Sequence, residues 1–350
     1  LFDLDVLDPV SGKWDRAQLG QPPRKCLVCG KEGKGCASRR LHTVEELQGA
    51  TRAILEDYFG KKDQQTLGTL AAKALLYEVC TTPKPGLVDR SNNGSHRDMD
   101  LFTFLNSAPA LFPYFERCVR QGMEGETEPE ALFSSLRWEG KLAEQAMLAA
   151  TGGVNTHKGA IFSMGLCCAA LGQLPRETWG DPEAVLDQCA ALARGLVHRD
   201  YRHLTPETAR TAGEVLYLRH GVTGVRGQAE AGFPAVREVG LPVLEESLRQ
   251  GLSWNDAGCR TLLALMGTTE DTNLMARGGI DAQKQTAAEA EALFQRFPDW
   301  EGVNQLDRAL IARHLSPGGS ADLLALCYLL HFLKEATEAE FSQKAPNLQK

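Results

Sequence analysis

The sequence holds no run of about 18 apolar residues, so no segment reads as a membrane span, and no basic-then-apolar stretch opens it as an export signal would. Positive charge is also short. With 38 Lys and Arg against 45 Asp and Glu, the formal charge is −7 and the pI about 5.7. Neither nucleic acid nor an anionic membrane is therefore expected as the main partner, and an anionic ligand has to find a local positive pocket. Convincing strands are nearly absent, as are fixed-period repeats and low-complexity tracts. The expected compartment is the cytoplasm. The ten cysteines, with Cys167 and Cys168 adjacent in an Ala/Leu-rich stretch, read as buried thiols and not as a disulfide framework. Because residue 1 is Leu, the chain is expected to be a fragment or a processed form.

What is present is helix. A chain of 350 residues that is 43% hydrophobic can bury a large core. Residues 1–42 are short in helical periodicity and rich in Gly, Pro, Lys and Arg, with "LFDLDVLD" as their one strand-like alternation. From Thr43 the character changes: Thr43 is a candidate N-cap and Glu46 its capping-box partner. Leu67, Leu70, Ala71, Ala74, Leu75 and Glu78 recur at helical spacing until the prolines of "TTPKPG" end the run. Further helices are expected at 98–120, 129–150, 159–171, 182–199, 206–219, 234–250, 254–266, 283–297 and 320–337. The fold class is all-α, a multi-helix bundle from about residue 43 onward, preceded by a small irregular or α+β segment. The domain boundary is expected near 48.

Several connections carry more chemistry than a bundle turn needs. The longest, "TTPKPGLVDRSNNGSHRDMD", gathers Lys84, Gly86, Asp89, His96, Asp98 and Asp100. "TGGVNTHKG" sets Gly152, Gly153, Asn155, His157 and Lys158 before a helix. "GVRGQAEAGFP" contributes Arg226, "TTEDTN" Glu270 and Asp271, "RGG" Arg277, and "SPGGSAD" Ser316, Gly318, Gly319 and Ser320. Any one of them is an ordinary capped junction. Together they point to one shared site at an end of the bundle. Free N–H groups at helix starts, with glycines that admit an anion, suit phosphate, yet no Walker A pattern is present. Paired carboxylates suit Mg²⁺ shared with substrate phosphates, although Asp98, Asp100 or Asp271, taken singly, is first a helix cap.

These motifs, in order from about Gln64 to Leu330, resemble the triphosphoribosyl-dephospho-CoA synthase family. The resemblance implies an all-α enzyme that joins the 5-triphosphoribosyl group of ATP to the 2′-hydroxyl of 3′-dephospho-CoA and releases adenine. The product is the prosthetic-group precursor of citrate lyase, or of malonate decarboxylase in a sister branch. "LFDLDVLDP" and "RKCLVCGKEGKGCASRRLHTVEEL" are similar to the C-terminal end of holo-citrate lyase synthase, which attaches that group to the acyl carrier subunit; this favours citrate lyase. Asp3 and Asp5 would stand there without the rest of a nucleotide site, so the first segment is expected to be inactive. Cys26, Cys29, Cys36 and His42 match zinc in ligand type and count, but their spacing only loosely follows known knuckles. Reduced thiols are the expectation.

The implied reaction exchanges an N-glycosidic for an O-glycosidic bond through an oxocarbenium-like ribosyl cation. It needs a base for the hydroxyl and a proton or hydrogen-bond donor for the leaving base. Asp98 or Asp100 is the expected base, with Asp89 as a further catalytic candidate and Glu270 and Asp271 as Mg²⁺ ligands. Lys84, His157, Lys158, Arg226 and Arg277 are the expected counter-charges, with Gly152 and Gly153 bringing the backbone close to phosphate. Competing readings are a Mg²⁺-dependent hydrolase of a ribosyl linkage, like the ADP-ribosyl hydrolases, and a non-catalytic helical binding module. All site readings require Lys84, Asn155, Glu270 and Ser320 to converge in space.

Overall fold

The computed structural model describes residues 6–10, 12–125 and 128–344. The chain forms two compact units, Leu1–Asp63 and Gln64–Lys350. In the first, β1 (Val6–Asp8) and β2 (Gly12–Trp14) pair antiparallel with Val6 opposite Trp14. A short helix, α1 (Gly33–Arg39), follows, and then the start of α2 (Val44–Cys80). Asp3 and Asp5, and with them most of the strand-like alternation, lie outside the described residues. The capping box forms as the sequence predicts: Thr43 Oγ1 accepts from the Glu46 amide at 3.1 Å, and Glu46 Oε2 from the Thr43 amide at 2.7 Å.

The second unit is helical throughout its described residues. After α2 come α3 (Leu101–Glu124), α4 (Pro129–Ala150), α5 (Lys158–Gln173), α6 (Pro182–Leu192), α7 (Leu196–Tyr201), α8 (Ala212–His220) and α9 (Gly224–Glu230). A π-helical stretch at Ala235–Gly240 leads into α10 (Leu241–Arg249), then α11 (Trp254–Thr268), α12 (Thr272–Gln295), α13 (Trp300–Ala312) and α14 (Gly318–Lys344). Among the described residues no helix is long and apolar enough to cross a membrane.

Three expected helices differ from those observed, each for a local reason. The run at 182–199 divides at Gly195, whose φ of 70° lets the chain turn between α6 and α7. The run at 206–219 starts only at Ala212, where Thr211 and Glu214 form a capping box. The helix expected from 283 begins at Thr272, because "RGG" continues it through a kink at Gly279 (φ 79°) instead of breaking it.

The core sits around α5, which is buried on nearly every side (Ala160, Ile161, Met164, Cys167, Cys168, Leu171) and packs against α3, α4, α6 and α14. A helix apolar all round belongs in an interior. Its crossing with α3 is set by glycines. A Cβ on Gly122 would overlap the Ala169 carbonyl oxygen, and one on Gly172 the Val119 carbonyl oxygen, so the two backbones meet directly. Gly172→Ala is therefore expected to cost about 1–3 kcal/mol through forced separation. Gly213→Ala, where an added Cβ meets nothing within 4 Å, should leave stability level or higher. Urea unfolding of both variants makes the comparison.

Candidate active site

The loops singled out by composition open into one cavity of about 470 Å³ in the second unit. Its walls come from the end of α2, the 81–100 loop, the starts of α5, α9, α12 and α14, and Phe104 of α3. Lys84, Asn155 and Glu270 line it, and Ser320 is hydrogen-bonded through both its amide (2.8 Å) and hydroxyl (3.1 Å) to the lining residue Asp271. The required convergence is met.

The 81–100 loop is folded by a carboxylate. Asp89 Oδ2 accepts from the Lys84 amide at 2.9 Å, while Oδ1 accepts from the Ser91 and Asn92 amides at 2.6 and 3.1 Å. That arrangement turns the chain back so that the Lys84 ammonium, 1% exposed, meets the carboxylate of Glu78 in the last turn of α2, itself 4% exposed. Burial raises the Glu78 pKa, and Lys84 opposes the shift. From α13, Asp307 accepts from the Gly86 amide at 2.8 Å and the Asn92 side chain at 2.9 Å, which pins the loop from the other side.

Asp271 joins two helix starts. Its Oδ1 accepts from the amides of Asn273 and Leu274 in the first turn of α12, and its Oδ2 from Ser320 in the first turn of α14. Burial pushes its pKa up, and these amides hold it back. Next to it Asp322 packs over Gly159, where any Cβ would overlap its Oδ2, and so reaches the start of α5. Burial first, then the Glu78 and Asp271 carboxylates, push the Asp322 pKa well above the ordinary carboxylate range.

Of the residues named from sequence, Lys84, His96, Asp98, Asn155, His157, Lys158, Glu270, Asp271, Arg277, Ser316, Gly318 and Gly319 line the cavity. The others serve elsewhere. Asp100 caps α3, accepting from the Thr103 amide at 2.9 Å, and that contact holds its pKa down. Asp89 organises its own loop. Gly86 lies against the Leu315 carbonyl. Gly152 and Gly153 (φ 67° and 93°) turn the chain after α4, with the Gly153 amide donating to the Leu148 carbonyl at 2.7 Å. Arg226 Nε binds Asp200 at 2.7 Å, next to a separate surface depression of about 590 Å³ lined by Arg137, Asp200 and Arg202. Asp200 also binds Arg137 at 2.7 Å, so both guanidiniums are tied to one carboxylate there.

Residues 64–341 match the family of ATP:dephospho-CoA triphosphoribosyl transferases, and that match takes in every wall of the cavity. The chain belongs to that family. Residues 1–58 match a second family, the apo-citrate lyase phosphoribosyl-dephospho-CoA transferases. A protein of Pectobacterium atrosepticum named 2-(5''-triphosphoribosyl)-3'-dephosphocoenzyme-A synthase is 44% identical over 283 residues, covering 80% of this chain and 93% of that one. "Protein CitXG" of Leuconostoc mesenteroides subsp. cremoris is 37% identical over 349 residues, and its namesake in Haemophilus influenzae 38% over 341. They cover 94% and 93% of this chain, and 74% and 72% of their own lengths is matched. No solved structure matches the chain.

For a triphosphoribosyl transferase the unanticipated lining residues are the most telling: Glu78, Asp322, Gln228, Thr269 and Thr272. Glu78 carried a signal, since a carboxylate occupies an apolar-face position of α2. Asp322 closes the "SPGGSAD" motif but reads there as an ordinary first-turn acid.

His157 is 3% exposed, with Nδ1 2.7 Å from Ser107 Oγ, and its buried Nε2 has no partner within the protein. Burial first, and Lys84 second, hold its pKa down to about 3. Between pH 6.5 and about 3 the unfolded chain binds a proton there that the folded chain does not. Its stabilising share is thus whole above pH 6.5 and lost as pH falls toward 3. Relative to His157→Gln, the wild type should lose unfolding free energy steadily over that interval in urea titrations. A pH-independent difference would mean that the folded imidazole is charged.

Proposed function

We propose that this cavity is the active site for transfer of the triphosphoribosyl group of ATP to the 2′-hydroxyl of 3′-dephospho-CoA, with adenine leaving. The observation that carries the reading is the division of charge within one cavity. Cations stand at its mouth: Lys158, with Nζ 3.0 Å from Glu144, and exposed Arg277, which binds the carbonyls of Ser95 and His314. Carboxylates of raised pKa, Glu78 and Asp322, lie at its depth. A triphosphate tail suits the first region, and a ribosyl cation with a departing base suits the second.

Asp322, whose pKa is pushed well above the ordinary carboxylate range by burial and by neighbouring carboxylates, is the proton donor to the leaving adenine. Asp98, at the cavity with its side chain 66% exposed and 4.0 Å from His96 Nδ1, is the base that takes the 2′-hydroxyl proton. Asp100 does not share that work, because its Oδ1 is committed to the helix cap. Thr156 donates to Ser107 Oγ at 2.7 Å and Ser107 Oγ lies 2.7 Å from His157 Nδ1; in the tautomer in which Ser107 donates, Nε2–H is a neutral donor for a substrate oxygen.

Glu270 fits Mg²⁺ better than Asp271, whose oxygens already accept four hydrogen bonds from Asn273, Leu274 and Ser320. Among the described residues no three carboxylates converge closely enough to hold an ion alone, so the triphosphate itself has to complete its coordination. When bound, the ion would offset phosphate charge. The product would serve as the precursor of the citrate lyase prosthetic group, destined for its acyl carrier subunit.

Mass spectrometry of mixtures containing ATP, Mg²⁺ and 3′-dephospho-CoA should find adenine and a triphosphoribosyl adduct together. Asp322→Asn should lower kcat by roughly 10²–10⁴-fold, and Asp98→Asn should also slow turnover. Asp100→Asn should leave turnover intact and cost little stability, because Asn caps a helix about as well as Asp, whereas Asp100→Ala should cost about 1 kcal/mol. Adenine formed at full rate without dephospho-CoA would establish a hydrolase instead, and an active Asp322→Asn would remove that residue from the chemistry.

A further inference from the structure

The first unit has almost nothing apolar to hold it together. Among its described residues Cys36 is the one buried hydrophobic side chain, while Leu7, Val10, Leu19, Leu27, Val28 and Leu41 are exposed. A unit of this size needs a staple when its core is missing. Its cysteines are all free thiols. Yet Cys26, Cys29, Cys36 and His42 each place one ligand atom so that all four lie within 4.8 Å of one another.

We infer that Cys26, Cys29, Cys36 and His42 form a structural zinc site in the first unit, against the expectation of plain reduced thiols. A tetrahedral ion with Zn–S near 2.3 Å and Zn–N near 2.0–2.1 Å sets two sulfurs about 3.8 Å apart and a sulfur and a nitrogen about 3.5 Å apart. Cys29 Sγ and Cys36 Sγ are 3.4 Å apart, within a few tenths of an ångström of that sulfur spacing.

The backbone is built for it from both sides. "CLVCG" makes a tight turn: the Gly30 amide donates to the Cys26 carbonyl at 2.9 Å, and the Cys26 amide to the Lys31 carbonyl at 2.7 Å. Gly30 takes φ 70° to close it. The third sulfur comes from α1. At its end Arg40 turns left-handed (φ 46°) and the Leu41 amide returns to the Cys36 carbonyl at 3.2 Å, which brings His42 round.

His42 supplies the observation that separates a ligand set from a chance group of thiols. Its Nε2 is buried and has no hydrogen-bond partner, a cost that a metal bond removes. Its Nδ1 lies 3.7 Å from Glu46 Oε2. A carboxylate behind a ligating imidazole is the usual outer partner that sets ring orientation and tautomer. Glu46 is itself held by the Thr43 amide, so the capping box of α2 doubles as the outer support of the site. Cys₃His is a closed ligand set with no open position, which makes the ion structural and not catalytic. The inference is independent of the transfer reaction in the second unit.

The test uses the untagged full chain, purified under reducing conditions and dialysed exhaustively. Elemental analysis should find one zinc per chain. Replacement by Co²⁺ should give the visible absorption and thiolate charge-transfer bands of a tetrahedral sulfur site. Cys29→Ser and His42→Ala should each lose most of the bound metal, and Glu46→Gln, which keeps every ligand, should weaken Zn²⁺ affinity about 10–100-fold. A reduced chain that neither carries zinc nor takes up Co²⁺ would overturn the assignment. So would zinc retained undiminished in both Cys29→Ser and His42→Ala.

Discussion

The buried ion pair between Lys84 and Glu78 is the contact on which the cavity depends. An ammonium 1% exposed has to be neutralised on the spot, and the only way to bring its partner close is to fold the 81–100 loop back over the end of α2. Asp89 performs that folding through three backbone amides, and Asp307 secures the loop from α13. Removing one member of such a pair leaves a buried charge alone, at about 3–5 kcal/mol. The same pair bears on its neighbour: burial first, then the Glu78 carboxylate, raise the Asp322 pKa, while Lys84 opposes them.

A second constraint is the sharing of helix starts. The first-turn amides of α12 and α14 are taken by Asp271, and Asp322 reaches the start of α5 across Gly159. Carboxylates of the protein occupy the places where phosphate often binds. In the proposed complex the triphosphate therefore rests on side chains at the mouth, Lys158 and Arg277 among them, with Mg²⁺ between phosphate and exposed carboxylates. This is how a chain of net charge −7 accommodates two polyanionic substrates without a basic surface.

The helical character was legible because apolar residues recur at helical spacing and prolines end the runs, and the loops were legible because glycine, charge and amide crowd into a few residues. Their convergence followed from asking what so many polar junctions are for. Less legible was the work of individual acids. Asp100, Asp98 and Asp322 look alike in sequence, each beside a helix start. Only the fold makes the first a satisfied cap, the second an exposed carboxylate near His96 and the third a partly buried acid of raised pKa. Gly152 and Gly153 read as a phosphate loop from composition, yet their positive φ angles serve the turn after α4. Arg226 sits in a charged motif but is claimed by Asp200, a partner 26 residues away that no local pattern reveals. The zinc ligands were visible as residue types, but their mutual approach depends on the left-handed turns at Gly30 and Arg40.

The most direct test of where the nucleotide sits is photolabelling with an azido-adenine analogue of ATP, with the cross-linked peptides read by mass spectrometry. Labels should fall on the segments at 81–104, 155–159, 269–277 and 316–323, and unlabelled ATP should suppress them. Labels concentrated on the depression around Arg137, Asp200 and Arg202, with the loop cavity untouched, would contradict the account.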